Sequence, residues 1–303
     1  MDKPTFDPGL TQQFSAPLRR IINKDGSFNV HRRGITWRDV HPYLHLINMS
    51  WSGFLGTVFL AYLVVNILFA LAYFSVGSVQ GADAATPFER FTNDFFFSAQ
   101  TLSTVGYGSM SPKGLPANGL SAIEAMIGLM GFALATGLLF GRVSRPSAKI
   151  RFSENMIVAP YQDGWSLQFR IVNKRANSLM ELEATLMLMT VEGGGTNPKR
   201  TYQVLKLERP SVYFFPLTWT IVHPIDSESP LFGKTPAELQ KLQAEFMILV
   251  KGWDDTFSQT VHARNSYRYD EITWRARFQP AFHVDGDGDL VLEVDRVGDL
   301  TAV

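Results

Sequence analysis

The octapeptide STVGYGSM, Ser103–Met110, sets two glycines around a tyrosine within a strongly apolar stretch. Gly106 and Gly108 open backbone conformations closed to other residues, so successive carbonyl oxygens can point to one side. The chemistry on offer is that of the backbone. Four such segments around an axis would stack rings of oxygen that replace the hydration shell of a K+ ion. Non-helical backbone cannot face lipid, where unsatisfied amides and carbonyls are costly, so TVGYG has to line a hydrated path. The run before it, TNDFFFSAQTL, opens with helix-capping residue types and is too short to cross a bilayer. It predicts a re-entrant half-helix at about 92–102, capped at Thr92 or Asn93, with its carbonyl end directed inward.

The flanks must hold this segment in a membrane. No Asp, Glu, Lys, Arg or His occurs between Leu46 and Ala82, whereas a bilayer core needs only about 20 apolar helical residues. A first span is predicted at about 51–76 and a second at about 117–143, where Glu124 is the only charge before Arg142. Arg19, Arg20, Lys24, Arg32, Arg33 and Arg38 precede the first span, and Arg142, Arg145, Lys149 and Arg151 follow the second. The positive-inside rule then puts both termini in the cytoplasm of a multi-pass protein of the cell (inner) membrane. Residues 1–33 read as an irregular cytoplasmic arm. In 34–47, Trp37, Val40, Tyr43, Leu44 and Ile47 recur at helical spacing, which suits an amphipathic helix along the inner surface or an extension of the first span.

From 147 to 303 apolar and polar residues alternate in short runs separated by turns such as QDG, EGGGTNP and DGDGD, which predicts a β-sandwich. The fold class is therefore membrane α plus all-β. One helix, TPAELQKLQ, interrupts the strands, with Thr235 as N-cap, Pro236 at N1 and Glu238 at N3. A chain of 303 residues with 46% apolar content and zero net charge is neither disordered nor a nucleic-acid binder. The absence of cysteine excludes disulfides, thiolate metal sites and a cysteine nucleophile. Nucleophile, base and orienting group stand nowhere at a motif spacing, so no enzyme is expected. VDGDGDL fails as a calcium loop, with Leu290 at position six and Arg296 at position twelve, and reads as a hairpin turn. His223 reads as a structural histidine.

Along the second span Gly128, Phe132, Thr136 and Phe140 recur every four residues and stay near one helix face. If that face lines a cavity, Phe140 is the candidate hydrophobic constriction; otherwise the rings pack on the first span or lipid. Gly128, Gly131 and Gly137 let the helix bend or let helices approach closely. Glu124 is costly in a membrane helix and is expected to point into protein behind the filter.

Thr101, Thr104, Val105, Gly106, Tyr107 and Gly108 match the potassium-channel filter pattern T-x-x-T-V-G-Y-G. With only two spans, no Arg-rich helix, and WTIVHPIDSESPLFG at Trp219–Gly233, the chain after residue 35 resembles the prokaryotic inward-rectifier potassium channels. The resemblance implies a homotetramer with one pore, a slide helix at about 36–47 and an Ig-like cytoplasmic vestibule. It implies K+ at the filter (Thr104–Gly108) as the only metal, no cofactor, and a gate at Phe140. Phe132 falls where strongly rectifying members carry an acid that attracts Mg2+ or polyamine blockers. RVSRPSAK looks like the family's phosphoinositide-sensitive region, making Arg142, Arg145, Lys149 and Arg151 an anionic-lipid site. Gln100, Thr101 and Glu124 are candidate filter supports. Many members pair a Glu at the position of Gln100 with a base after the filter, and Gln100 with Ser109 offers no such ion pair. The rival class is a membrane-anchored β-sandwich binding protein without ion conduction.

Overall fold

The computed structural model describes residues 8–10, 20–34, 36, 39, 41–77, 79–81, 83–144, 148–192 and 199–303. The chain divides into a helical unit, Arg33–Arg145, and a β unit built from Pro146–Val303 together with Met1–Arg32.

In the helical unit α1 (Pro42–Asn48) begins at Pro42 rather than near 34. The proline ring holds its predecessor His41 extended (ψ 111°) and is itself suited to a first turn. Of the helix expected over 34–47, residues 35, 37, 38 and 40 lie outside the described residues. Helix α2 (Trp51–Val76) is capped by the Ser50 hydroxyl, which accepts from the Gly53 amide at 3.1 Å, and ends on left-handed Gly77. A short strand β1 (Val79–Gln80) leads to α3 (Pro87–Leu102), a second short strand β2 (Ser111–Pro112), and α4 (Gly114–Val143). At about 1.5 Å per residue, the 26 residues of α2 and 30 of α4 exceed a hydrocarbon core about 30 Å thick.

Helix α3 starts at Pro87, not at Thr92. Thr86 is its N-cap: the hydroxyl accepts from the Glu89 amide at 3.2 Å, and the Glu89 carboxylate accepts from the Thr86 amide at 3.2 Å. This closed capping box with proline at N1 satisfies donors that an open end would strand. Helix α4 starts at Gly114 rather than 117, because Pro116 is tolerated within a first turn.

The β unit runs β3 (Ile150–Phe152), β4 (Met156–Tyr161), β5 (Gly164–Asn173), β6 (Leu179–Glu192), β7 (Lys199–Leu205), β8 (Ser211–Phe214), β9 (Thr218–Ile225), helix α5 (Pro236–Lys241), β10 (Glu245–Asp254), β11 (Gln259–Arg268), β12 (Ile272–Trp274), β13 (Ala276–Phe278), β14 (Phe282–Val284), β15 (Leu290–Leu292) and β16 (Leu300–Ala302). One sheet has the order β11-β10-β6-β7 with β8 also on β6; the other has the order β12-β4-β5-β3 with β9 also on β5. Period-two alternation on both sheets turns Phe169, Ile171 and Ile221 from one, and Leu182, Leu186, Phe246 and Ile248 from the other, into one buried core. Strand β9 contains Pro224, which weakens its sequence signal, and β9 pairs only with β5, where a missing amide is tolerated. The aspartate-rich segment is the expected turn: Asp285 Oδ1 accepts from the Asp287 and Asp289 amides between β14 and β15.

The N-terminal arm is docked where it is described. Ile21 and Ile22 are buried with Met189, Tyr202 and Met247. The Ile21 amide donates to buried Glu245 at 3.0 Å, and the Ser266 hydroxyl donates to the Ile22 carbonyl at 2.6 Å. Arg20 and Lys24 pair with Glu271, and the Lys24 ammonium lies 4.0 Å from the Tyr267 ring centre.

His223 is buried in β9. Its Nδ1 donates to the Lys206 carbonyl at 2.6 Å, since a carbonyl can only accept, and its Nε2 faces the Ser229 hydroxyl at 2.8 Å. Burial holds its pKa below the ordinary histidine value. Between the folded and unfolded pKa values the unfolded chain binds the proton and the folded chain does not, so stability falls as pH drops below about 6.5. The thermal midpoint of the detergent-solubilised protein is expected to fall from pH 7 toward pH 5, with a shallower fall in His223→Asn; equal slopes would contradict this.

Candidate functional site

At the carbonyl end of α3 the chain turns back and enters the candidate filter. The Thr104 amide donates to Thr101 O at 3.0 Å, and the Val105 and Gly106 amides both donate to Gln100 O, at 2.9 and 3.3 Å. These bonds point the amides back into α3 and leave the carbonyls of the segment without a helical role. Backbone φ is positive at every second residue: Thr104 at 60°, Gly106 at 52° and Gly108 at 82°. Alternation between left-handed and ordinary φ turns successive peptide planes the same way, the arrangement that lines oxygens up on one side. Thr104 does this without being glycine, a strained conformation of the kind that collects at functional sites. The Thr101 hydroxyl donates to Phe97 O at 2.8 Å and so stays within α3. The Gln100 side chain is half-buried, and Val105 and Tyr107 are exposed in the protomer.

Behind α3 lies a buried polar network that joins three helices. The Tyr73 hydroxyl on α2 donates to Glu124 Oε2 on α4 at 2.7 Å, and the Ser98 hydroxyl on α3 contacts Glu124 Oε1 and lies 3.0 Å from Asn66 Oδ1 on α2. Asn66 Nδ2 donates to Tyr62 O at 2.7 Å, which fixes the amide's orientation. All four side chains are at most 1% exposed, so Glu124 points into protein, not toward lipid. Tyr73, Ser98 and Asn66 escaped sequence reasoning. Asn66 carried a signal, as the single amide side chain inside α2.

One turn along α4 from Glu124, a Cβ on Gly128 would lie 2.0 Å from the Leu102 carbonyl oxygen. Of the two roles open to it, close approach is the one the geometry requires. Because α3 ends at Leu102, the same stripe of α4 continues uncovered: Phe132 is 75% and Phe140 72% exposed in the protomer, and Thr136 is exposed. Thr104, Gly128 and Phe132 share with Thr57, Ala61 and Tyr62 an apolar groove of about 760 Å³ just inside the filter segment.

The basic residues are not equivalent. Arg142 donates to Leu46 O (2.6 Å), Ile47 O (2.8 Å) and Met49 O (2.8 Å), and its guanidinium lies within 4.8 Å of the Trp51 and Phe54 ring centres. It thus caps the carbonyl end of α1 from the last turn of α4, and a cation there opposes the helix dipole favourably. Arg151 pairs with Asp295, Lys149 is exposed, and Arg145 lies outside the described residues. If the chain conducts K+, as the resemblance implies, Arg142→Gln is expected to free α1 and change K+ flux without changing ion preference. Arg142→Lys keeps the charge but loses the planar fork, so it should resemble the Gln variant; wild-type flux in the Lys variant would mean that charge alone matters.

A short helix ending in an alternating-φ glycine segment, packed against two long apolar helices in a chain that continues into a β-sandwich, is the architecture of an ion channel. The ion channel family model matches residues 53–145, and the inward rectifier potassium channel C-terminal domain model matches residues 150–303. The chain belongs to the inward rectifier potassium channel family. It is 38% identical over 293 residues to the inward rectifier potassium channel Kirbac3.1 of Paramagnetospirillum magnetotacticum, covering 95% of this chain and 98% of the relative. It is 25% identical over 306 residues to the human G protein-activated inward rectifier potassium channel 2, covering 92% and 70%. The human ATP-sensitive inward rectifier potassium channel 14 is 25% identical over 320 residues, covering 94% and 73%.

Proposed function

We propose that this chain forms a homotetrameric, K+-selective channel in the cell (inner) membrane, with both termini cytoplasmic. Four copies of Thr104–Gly108 surround one axis, and oxygens of Thr104, Val105, Gly106 and Tyr107 replace the hydration shell of K+, while Gly108 shapes the outer mouth. The observation that carries this reading is the positive φ at residues 104, 106 and 108 with the Val105 and Gly106 amides tied to Gln100 O. Thr101 and Glu124 support the filter from behind through α3. Phe132 and Thr136 line the cavity with Gly128 at its roof, and four Phe140 rings close the path by dewetting. The α1 and α4 ends, with Arg142, Arg145, Lys149 and Arg151, make that gate responsive to anionic phospholipids or phosphoinositides and to the β unit.

The test is K+ against Na+ flux into liposomes holding the purified protein, with Ba2+ as blocker. Ba2+-sensitive flux that favours K+ is expected. Equal flux for both ions, or none, would return the chain to the rival reading of a membrane-anchored binding protein.

An uncharged ring at 132 cannot attract Mg2+ or polyamines by Coulomb force, so weak rectification is expected from this position. Current–voltage curves with internal spermine check it. Phe132→Asp should lower the half-blocking spermine concentration by about tenfold or more, the scale of about 1.4 kcal/mol that opposite charges gain at close range. Steep wild-type block lost on replacing Phe132 would contradict the assignment.

A further inference from the structure

The inner end of the filter segment is tied to α3 by three amide bonds, but no side-chain ion pair holds its outer end. Among the described residues no salt bridge touches 103–110, and Gln100 and Ser109 could not make one. What meets the outer end is backbone. Strands β1 and β2 pair antiparallel, with Val79 opposite Pro112 and Gln80 opposite Ser111. The next residue, Gly81, has φ +80°, and a Cβ there would lie 2.1 Å from the Ser109 carbonyl oxygen and 3.2 Å from its carbon. Gly81 therefore lies directly against the Ser109–Met110 peptide, one residue beyond Gly108, in a conformation other residues adopt only under strain. From the far side Asn118 Nδ2 of α4 donates to Pro112 O at 3.4 Å and Gly114 O at 2.7 Å, anchoring the start of α4 beside β2. Between these anchors, a Cβ added at Gly106 or Gly108 would meet nothing within 4 Å in the protomer.

We infer that the β1–β2 ribbon is the brace of the outer filter, with Gly81 as its positioning residue, in place of an ion pair. The inference rests on the filter reading of Thr104–Gly108. If the ribbon shifts, the peptides of Tyr107 and Gly108 shift with Ser109, and the outer oxygen rings lose the spacing that fits dehydrated K+. Two measurements test this in the full-length protein in planar bilayers: the K+/Na+ permeability ratio, and the decline of K+ current at low external K+.

Gly81→Ala should lower the permeability ratio by about tenfold and hasten the decline, the scale set by an alanine forced to left-handed φ. Gly56→Ala, on α2 with open space around it, is the control and should leave both unchanged. Because the chain has no cysteine, Gln80→Cys with Ser111→Cys gives a single intended cross-link between exposed residues that face each other in register. Oxidation should slow the decline, in the otherwise native chain and in Gly81→Ala, and reduction should reverse it. If Gly81→Ala fails to assemble, the oxidised and reduced cysteine pair in the otherwise native chain decides alone. Native ratio and time course in Gly81→Ala, or no effect of oxidation, overturns the brace. If Gly106→Ala still abolishes selectivity in that case, the filter reading stands and only the brace falls; if both substitutions are silent, the filter reading falls with it.

Discussion

Gly106→Ala is expected to abolish K+-selective flux while the protein still assembles. Gly106 has φ 52° with nothing within 4 Å of an added Cβ in the protomer, so the methyl meets no clash within its own chain. The damage comes from the backbone. An alanine held at left-handed φ costs about 1–2 kcal/mol, and in a tetramer the cost recurs four times around one axis. Relaxing it turns a peptide plane, and on the proposed filter reading its carbonyl leaves the ring that replaces water around K+. The α3 bonds to Val105 and Gly106 hold the inner end, so the fold has no reason to fail. Ba2+-sensitive K+ flux into liposomes, with the detergent-stable oligomer as the control for assembly, reads the outcome. Flux and preference equal to the unsubstituted protein would mean that these oxygens do not handle the ion.

Glu124→Leu is expected to strip the helical unit of its main polar tie. The substitution leaves the Tyr73 hydroxyl without its acceptor in a region with no water to replace it, while the Ser98 hydroxyl keeps Asn66 Oδ1 at 3.0 Å. Stranding that one buried donor costs about 1–3 kcal/mol, a sizeable part of the margin of a domain. Glu124→Gln keeps an acceptor for Tyr73 and a polar partner for Ser98, so it should stay near the native value. Tyr73→Phe removes the donor to buried Glu124 Oε2 and should cost about 1–3 kcal/mol. Thermal inactivation of the detergent-solubilised protein ranks the three, with Leu far below Gln. A leucine variant as stable as the glutamine variant would show that the network contributes nothing.

Much of the fold is legible in the sequence because its signals are local. The uncharged run that becomes α2, the apolar run of α4 and the period-two alternation of β5, β6 and β10 each report one segment's own environment. The start of α3 is written just as locally, although the sequence reading places it at Thr92. TPFE at 86–89 is the same T-P-x-E capping signature as TPAE at 235–238, which opens α5. The apolar triplet Phe95–Phe97 draws attention downstream of the charged first turns that open the helix. Strand β9 is masked by Pro224, whose edge position only the pairing reveals.

The candidate site divides along the same line. The string T-x-x-T-V-G-Y-G and the four-residue stripe on α4 are written in the chain. The sequence by itself determined where glycine frees the backbone, which helices are apolar enough for a bilayer and which residues share a helix face. These follow from side-chain volume, charge and period within one element. Only the tertiary structure decided that Glu124 meets Tyr73 and Ser98, that Gly128 yields to Leu102, that Gly81 backs Ser109 and that Arg142 caps α1. Those partners lie between about 20 and 100 residues away. Their meeting depends on how helices end and cross, which no local period encodes.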